Sequence, residues 1–138
     1  MNPPPFAWEA WYEAVGGRTI RIEEVTEYLR LIYEEQEPRF TGPVAAERRV
    51  FGSPEEASAH LKARAREFGA DLAGICAIEP SDVYRGRTVD GRFAIAVAQR
   101  MRWREFQVVP SRESAIECLR VYYTLGETVI RLAAHIRA

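Results

Sequence analysis

The chain has 138 residues, enough for one modest core that takes roughly two thirds of the unfolded surface out of water. Nineteen basic residues against twenty acidic ones leave a net charge of −1, which argues against a chain-wide electrostatic drive toward nucleic acid or anionic lipid. Cys76 and Cys118 are the only cysteines and show no C-x-x-C spacing, so this sequence holds neither a disulfide framework nor a cysteine-only metal site.

The charge is unevenly spread. Residues 1–37 hold eight Glu and three Arg, net −5, so residues 38–138 carry +4. Lys62 is the one lysine among the basic residues, a bias of coding composition rather than of function. The opening Met1-Asn2-Pro3-Pro4-Pro5-Phe6 has no basic region followed by an apolar one, and no later stretch is apolar enough to span a bilayer. Arg48-Arg49 lies far from the start and precedes no apolar run, so it does not read as an export signal. The expectation is a cytoplasmic protein with neither nucleic acid nor membrane as partner.

In chain order, the proline triplet predicts an extended start, and residues 6–15 a short helix with Trp8, Trp11 and Tyr12 on one side, stopped by Gly16-Gly17. Apolar residues recur at Ile22, Val25, Leu29 and Ile32, which predicts an amphipathic helix over 22–36 ending near Pro38. Residues 38–52 lack a sustained period and read as a connector, with a boundary near residue 50. The expected division is a helical segment with its connector at 1–52 and a second domain at 53–138.

Ser53-Pro54-Glu55-Glu56 combines a hydroxyl N-cap, proline at the first helical position and Glu at the capping-box position, starting a helix that runs to Phe68. Gly69 supplies the left-handed residue that ends it. Residues 70–78 form a short apolar run that suits a strand buried on both faces. A turn-rich segment over 81–91 precedes a second strand at 93–99, extended toward Trp103 with Arg100, Arg102 and Arg104 on one face. Ser111 then caps a long helix to about residue 137, with its apolar face through Leu119, Tyr122 or Tyr123, Gly126, Val129 or Ile130, Ala133 and Ile136. The order of elements gives an α+β fold.

Chemistry is sparse. There is no G-x-G-x-x-G, phosphate-binding loop, H-x-x-x-H or nucleophile elbow. His60 and His135 lie far apart in sequence and read as separate surface or packing residues; no metal site is expected. The three arginines could meet anionic oxygens, but a solvated strand face is the simpler reading. Cys118, Tyr122 and Gly126 follow at four-residue intervals, a stripe that usually means packing. A tyrosine facing a cavity beside a glycine can instead act as a general acid.

From Ser53 onward the chain resembles the corrinoid-binding region of reductive dehalogenases, which are distantly similar to epoxyqueuosine reductases. The residues that carry the resemblance are Ser53-Pro54-Glu55-Glu56-Ala57-Ser58, Leu61-Lys62-Ala63-Arg64-Ala65 and Phe68-Gly69-Ala70-Asp71-Leu72-Ala73-Gly74-Ile75. Val83-Tyr84, Ala94-Ile95-Ala96-Val97-Ala98 up to Met101, Pro110-Ser111, Glu117, Tyr122 and Leu132-Ala133-Ala134-His135-Ile136-Arg137 follow in the family's order. Together they span residues 53–137; residues 1–52 match no family pattern.

The resemblance implies a nitroreductase-like α+β fold that holds cobalamin and receives electrons from two 4Fe-4S clusters to remove halogen from a small organohalide. It further implies that a tyrosine on the last helix, Tyr122 by position, protonates the product. Val121 stands where the family tends to have a small residue, and Tyr123 directly after Tyr122 leaves two candidates. The family continues beyond residue 137 with cysteine-rich cluster motifs, which two cysteines forty-two positions apart do not supply. The chain is therefore expected to be a partial reductive dehalogenase. The alternative is a noncatalytic α+β module that associates with itself through exposed apolar faces.

Overall fold

The computed structural model of the chain describes residues 22–107 and 109–138. The helix expected over 6–15 lies outside them. Two compact units are present: residues 22–38 with 101–123, and residues 39–100 with 124–138. Among the described residues the architecture is α+β, with a two-stranded antiparallel sheet and helices.

In the first unit, helix α1 (Glu23–Arg30) continues through wider turns over Leu31–Gln36 and a tight turn over Glu37–Arg39. The amphipathic stripe of the sequence is realised: Val25 is buried, and Leu29 and Ile32 are half-buried beside it. Its last position is polar. Gln36 is buried and donates from Nε2 to the Tyr123 carbonyl at 2.7 Å, so burial of the amide is compensated by a hydrogen bond. Arg30 reaches Glu27 and Glu34 on the exposed side at 2.8 and 3.0 Å, contacts worth little in water.

The second unit is built on helix α2 (Pro54–Glu67), and its start follows the local code. Ser53 Oγ accepts from the Glu56 amide at 3.1 Å, and Pro54 occupies the first turn. Glu56 departs from the standard capping box: its carboxylate accepts from the Gly52 amide at 2.7 Å, one residue before the cap. At the other end the Ala70 amide bonds the Ala65 carbonyl and the Gly69 amide bonds Arg66, with Gly69 at φ +119°. That pair of bonds is a Schellman motif, which needs the left-handed residue that glycine adopts without strain.

Strands β1 (Leu72–Ala77) and β2 (Phe93–Ala98) pair antiparallel with Leu72 opposite Ala98 and Ala77 opposite Phe93. Asp71 holds the end of the ladder, accepting from the Arg100 amide at 2.6 Å and from its guanidinium at 3.2 Å. Ala73, Ile95 and Val97 pack with Phe68 on a small core of Ala65, Ala70 and Leu132. The expectation of a strand buried on both faces is corrected: Leu72, Gly74 and Cys76 point away from this core and are exposed, Leu72 by 67%. A continuous apolar run does not distinguish a doubly covered strand from one that leaves a small apolar face open.

The second strand stops at Ala98, and Trp103–Phe106 form a helical turn, α3. The alternation that would place Arg100, Arg102 and Arg104 on one strand face is therefore absent. Helix α4 (Arg112–Arg137) runs for 26 residues, as expected in length. Its buried side is shifted from the one hydropathy indicates. Ser114, Glu117 and Val121 are buried in the first unit, and Thr128, Ile130 and Leu132 in the second, whereas Tyr122, Val129 and Ile136 are exposed. Three of those six buried residues are polar, which a search for apolar periodicity passes over.

Candidate functional site

Tyr122 stands on α4 with 65% of its surface exposed, and its hydroxyl makes no hydrogen bond among the described residues. One position on, the Tyr123 ring is half-buried against Tyr28 with centroids 5.9 Å apart and planes tilted by 43°. The two tyrosines are thus unlike: one packs, and the other presents its phenol outward. Cys118, one turn before Tyr122, is half-buried, and burial raises its thiol's pKa, with the nearby Glu117 carboxylate adding to the effect.

Beneath this stripe, Glu117 is enclosed, with 2% of its side chain exposed. Arg120 grips it with two donors, Nε to Oε2 and Nη2 to Oε1, both at 2.7 Å, and the Arg102 amide donates to Oε1 at 2.7 Å. The Arg120 hydrogen bonds hold the carboxyl below its ordinary range against the opposing effect of burial. This arrangement is built for retention of charge and structural anchoring, not for proton exchange. Glu24 and Arg112 form a further ion pair in the same unit.

The second unit contains a cluster that the sequence separates by 75 positions. His60 on α2 and His135 on α4 approach with Nε2 atoms 2.9 Å apart, and Arg49 Nη1 lies 3.2 Å from His60 Nε2. Both are packing residues, as the sequence reads them, and the packing of α2 on the end of α4 sets them against each other. Their ring centroids are 5.2 Å apart, more than the nitrogens by about the width of one ring, so the imidazoles meet end on. Phe51 lies at 5.3 Å from the His60 ring, and Phe68 meets His135 edge-on at 6.2 Å.

The same Phe68 ring carries the guanidinium carbons of Arg64 and Arg131 at 4.8 and 4.5 Å. His135 is held below its ordinary pKa by burial first, and then by its neighbours Arg64, His60 and Arg49, with Glu67 opposing. A cavity of about 330 Å³ adjoins the pair. No property of a single sequence marks this pairing, because neither residue belongs to a spaced motif.

The two cysteines lie on different elements, Cys76 on β1 and Cys118 on α4, and among the described residues no group of three or more His, Cys, Asp or Glu can hold a metal ion. No described helix is long and apolar enough to cross a membrane. Comparison with protein-family models gives no match, and neither the curated proteins nor the solved structures contain a match to this chain.

Proposed function

We propose that the chain is part of a reductive-dehalogenase-like, corrinoid-dependent reductase with a nitroreductase-like fold, and that Tyr122 is the proton donor of the complete enzyme. The observation that supports this reading is the environment of Tyr122, a largely exposed phenol on a regular helix with no hydrogen bond among the described residues. In reductive dehalogenation the carbon–halogen bond breaks, the carbon takes up two electrons and a proton, and halide departs. An outward phenol can deliver that proton and be reprotonated from water.

The cofactors implied by the resemblance fit unequally. Iron–sulfur clusters do not fit the described residues, which lack a set of close cysteine ligands. A corrinoid, which supplies a reducing cobalt centre when bound, would find one wall in the open face of the sheet. There Gly74, Ala96 and Ala98 are exposed, and a Cβ added at Gly74 would meet nothing within 4 Å. Side chains this small leave room for a flat ring to approach the backbone.

The same open face favours a second reading, a noncatalytic module that self-associates, because Leu72 and Phe93 add exposed apolar surface at its ends. Titration of the folded 138-residue chain with cobalamin separates the two. A saturable change in the visible spectrum supports the corrinoid reading. No change, with helix and strand content confirmed by circular dichroism, together with concentration-dependent dimers in sedimentation, favours the module.

A further inference from the structure

We propose that the cavity beside the His60–His135 pair binds a small carboxylate with an apolar body. This inference is independent of the corrinoid reading and uses neither Tyr122 nor the open sheet face.

Three nitrogens, Arg49 Nη1, His60 Nε2 and His135 Nε2, converge with separations of 3.2 and 2.9 Å along the chain of contacts. A guanidinium only donates, so His60 Nε2 is the acceptor for Arg49, and His135 must direct its own N–H at the same lone pair. One lone pair then serves two donors. A carboxylate beside Arg49 would accept from that guanidinium and leave the His60 lone pair to the single donor His135.

The geometry also selects against a metal ion. End-on imidazoles aim their ring nitrogens at each other, whereas chelation needs both lone pairs to converge on a third point, and the Arg49 charge repels a cation. The surroundings favour an anion. Arg48, Arg49 and Arg137 line the cavity, against the Glu47 side chain and the terminal Ala138. On α2, Arg64 is paired with Glu67, so Glu67 does not stand as a free counter-charge to the histidines.

The remaining wall identifies the rest of the ligand. Val44, Phe51, Leu61 and Ile136 are apolar, and a volume of about 330 Å³ is at the small end of ligand cavities. A phosphate ion would gain nothing from that wall, while an aromatic or branched carboxylate would bury its body there and present its oxygens to the Arg49 guanidinium.

Isothermal titration of the 138-residue chain with benzoate tests this, with benzamide and inorganic phosphate in parallel. The expected result is saturable benzoate binding, with benzamide far weaker because it lacks the charge that Arg49 pairs with. Arg49→Gln, at an exposed position, should weaken benzoate by about ten-fold while leaving the circular dichroism spectrum unchanged. Four results would each overturn the proposal: no saturable benzoate binding by folded protein, benzamide binding as tightly, phosphate binding where benzoate does not, or an Arg49→Gln variant that binds benzoate like the parent.

Discussion

The Thr128 hydroxyl lies 3.0 Å from the Phe68 carbonyl, tying the middle of α4 to the last residue before the Gly69 turn. The same oxygen is 3.1 Å from the Thr124 carbonyl within its own helix, so one proton is shared between an intrahelical and a tertiary acceptor. Gly69 sits under this contact, and a Cβ there would come within 3.1 Å of Thr128 Oγ1.

Two substitutions measure this junction. Thr128→Val keeps the shape but removes the donor, and should cost about 1 kcal/mol in urea denaturation. Gly69→Ala should cost about 1–3 kcal/mol, because alanine at positive φ is strained before any contact is counted. If Gly69→Ala proves as stable as the parent, the Schellman turn does not form in solution.

Glu117 anchors the first half of α4, and its pH dependence has a definite sign. Its carboxyl is held below the ordinary value of 4.5, first by the Arg120 hydrogen bonds, so its stabilisation is present above that value and lost as pH falls through the folded-state pKa. Glu117→Gln should lower stability at neutral pH by about 2 kcal/mol, since Arg120 loses its charge partner while the Arg102 amide keeps an acceptor. It should also flatten the acid limb of a stability profile measured below about pH 4.5. An acid limb identical to that of the parent would show that other carboxylates carry it.

His135 acts in a different window. Its pKa is lowered from 6.5, so on acidification the unfolded chain takes up a proton before the folded chain does. Stability is therefore full above about pH 6.5 and declines as pH falls toward the folded-state pKa. Between about pH 7.5 and pH 5.5, in a buffer free of carboxylates, the parent should lose more stability than His135→Gln in chemical denaturation. Equal losses would place the titration elsewhere.

These sites mark where sequence reading succeeds and where it stops. The cap at Ser53, the glycine at 69, the two short strands and the length of α4 follow from local rules, because proline, glycine and hydroxyl residues constrain their own few neighbours. The buried side of α4 does not, because Ser114, Glu117 and Thr128 are buried with hydrogen-bonded partners and carry no hydropathy signal. The open side of the sheet is equally hidden, since Leu72 and Cys76 look like core residues until the number of covering layers is known. His60 and His135 meet only through tertiary packing. Tyr122 was identifiable as a candidate, but its outward direction was not.

The two cysteines should differ sharply toward a thiol reagent. Cys76 is exposed on the open face of β1, while Cys118 is half-buried and its thiol is shifted toward the protonated form by burial and by Glu117. Iodoacetamide near pH 8 should label Cys76 first and Cys118 slowly, as read by peptide mass analysis over time. Equal rates would mean that α4 opens in the first unit or that the sheet face is covered in solution.

Tyr122 and Tyr123 provide the test of the catalytic assignment. Tyr122→Phe removes a hydroxyl that makes no hydrogen bond among the described residues, so stability should stay within about 0.5 kcal/mol. Tyr123→Ala removes a ring packed on Tyr28 and should cost about 2 kcal/mol or more, which separates the packing tyrosine from the outward one. In a complete reductase containing this segment, Tyr122→Phe should then lower turnover while corrinoid content is unchanged. On the proposed role the loss falls on chemistry rather than binding, because the phenol would give up its proton only as the carbon gains its bond to hydrogen. Unchanged turnover in Tyr122→Phe, or a matching loss of corrinoid, would remove the residue from the role of proton donor.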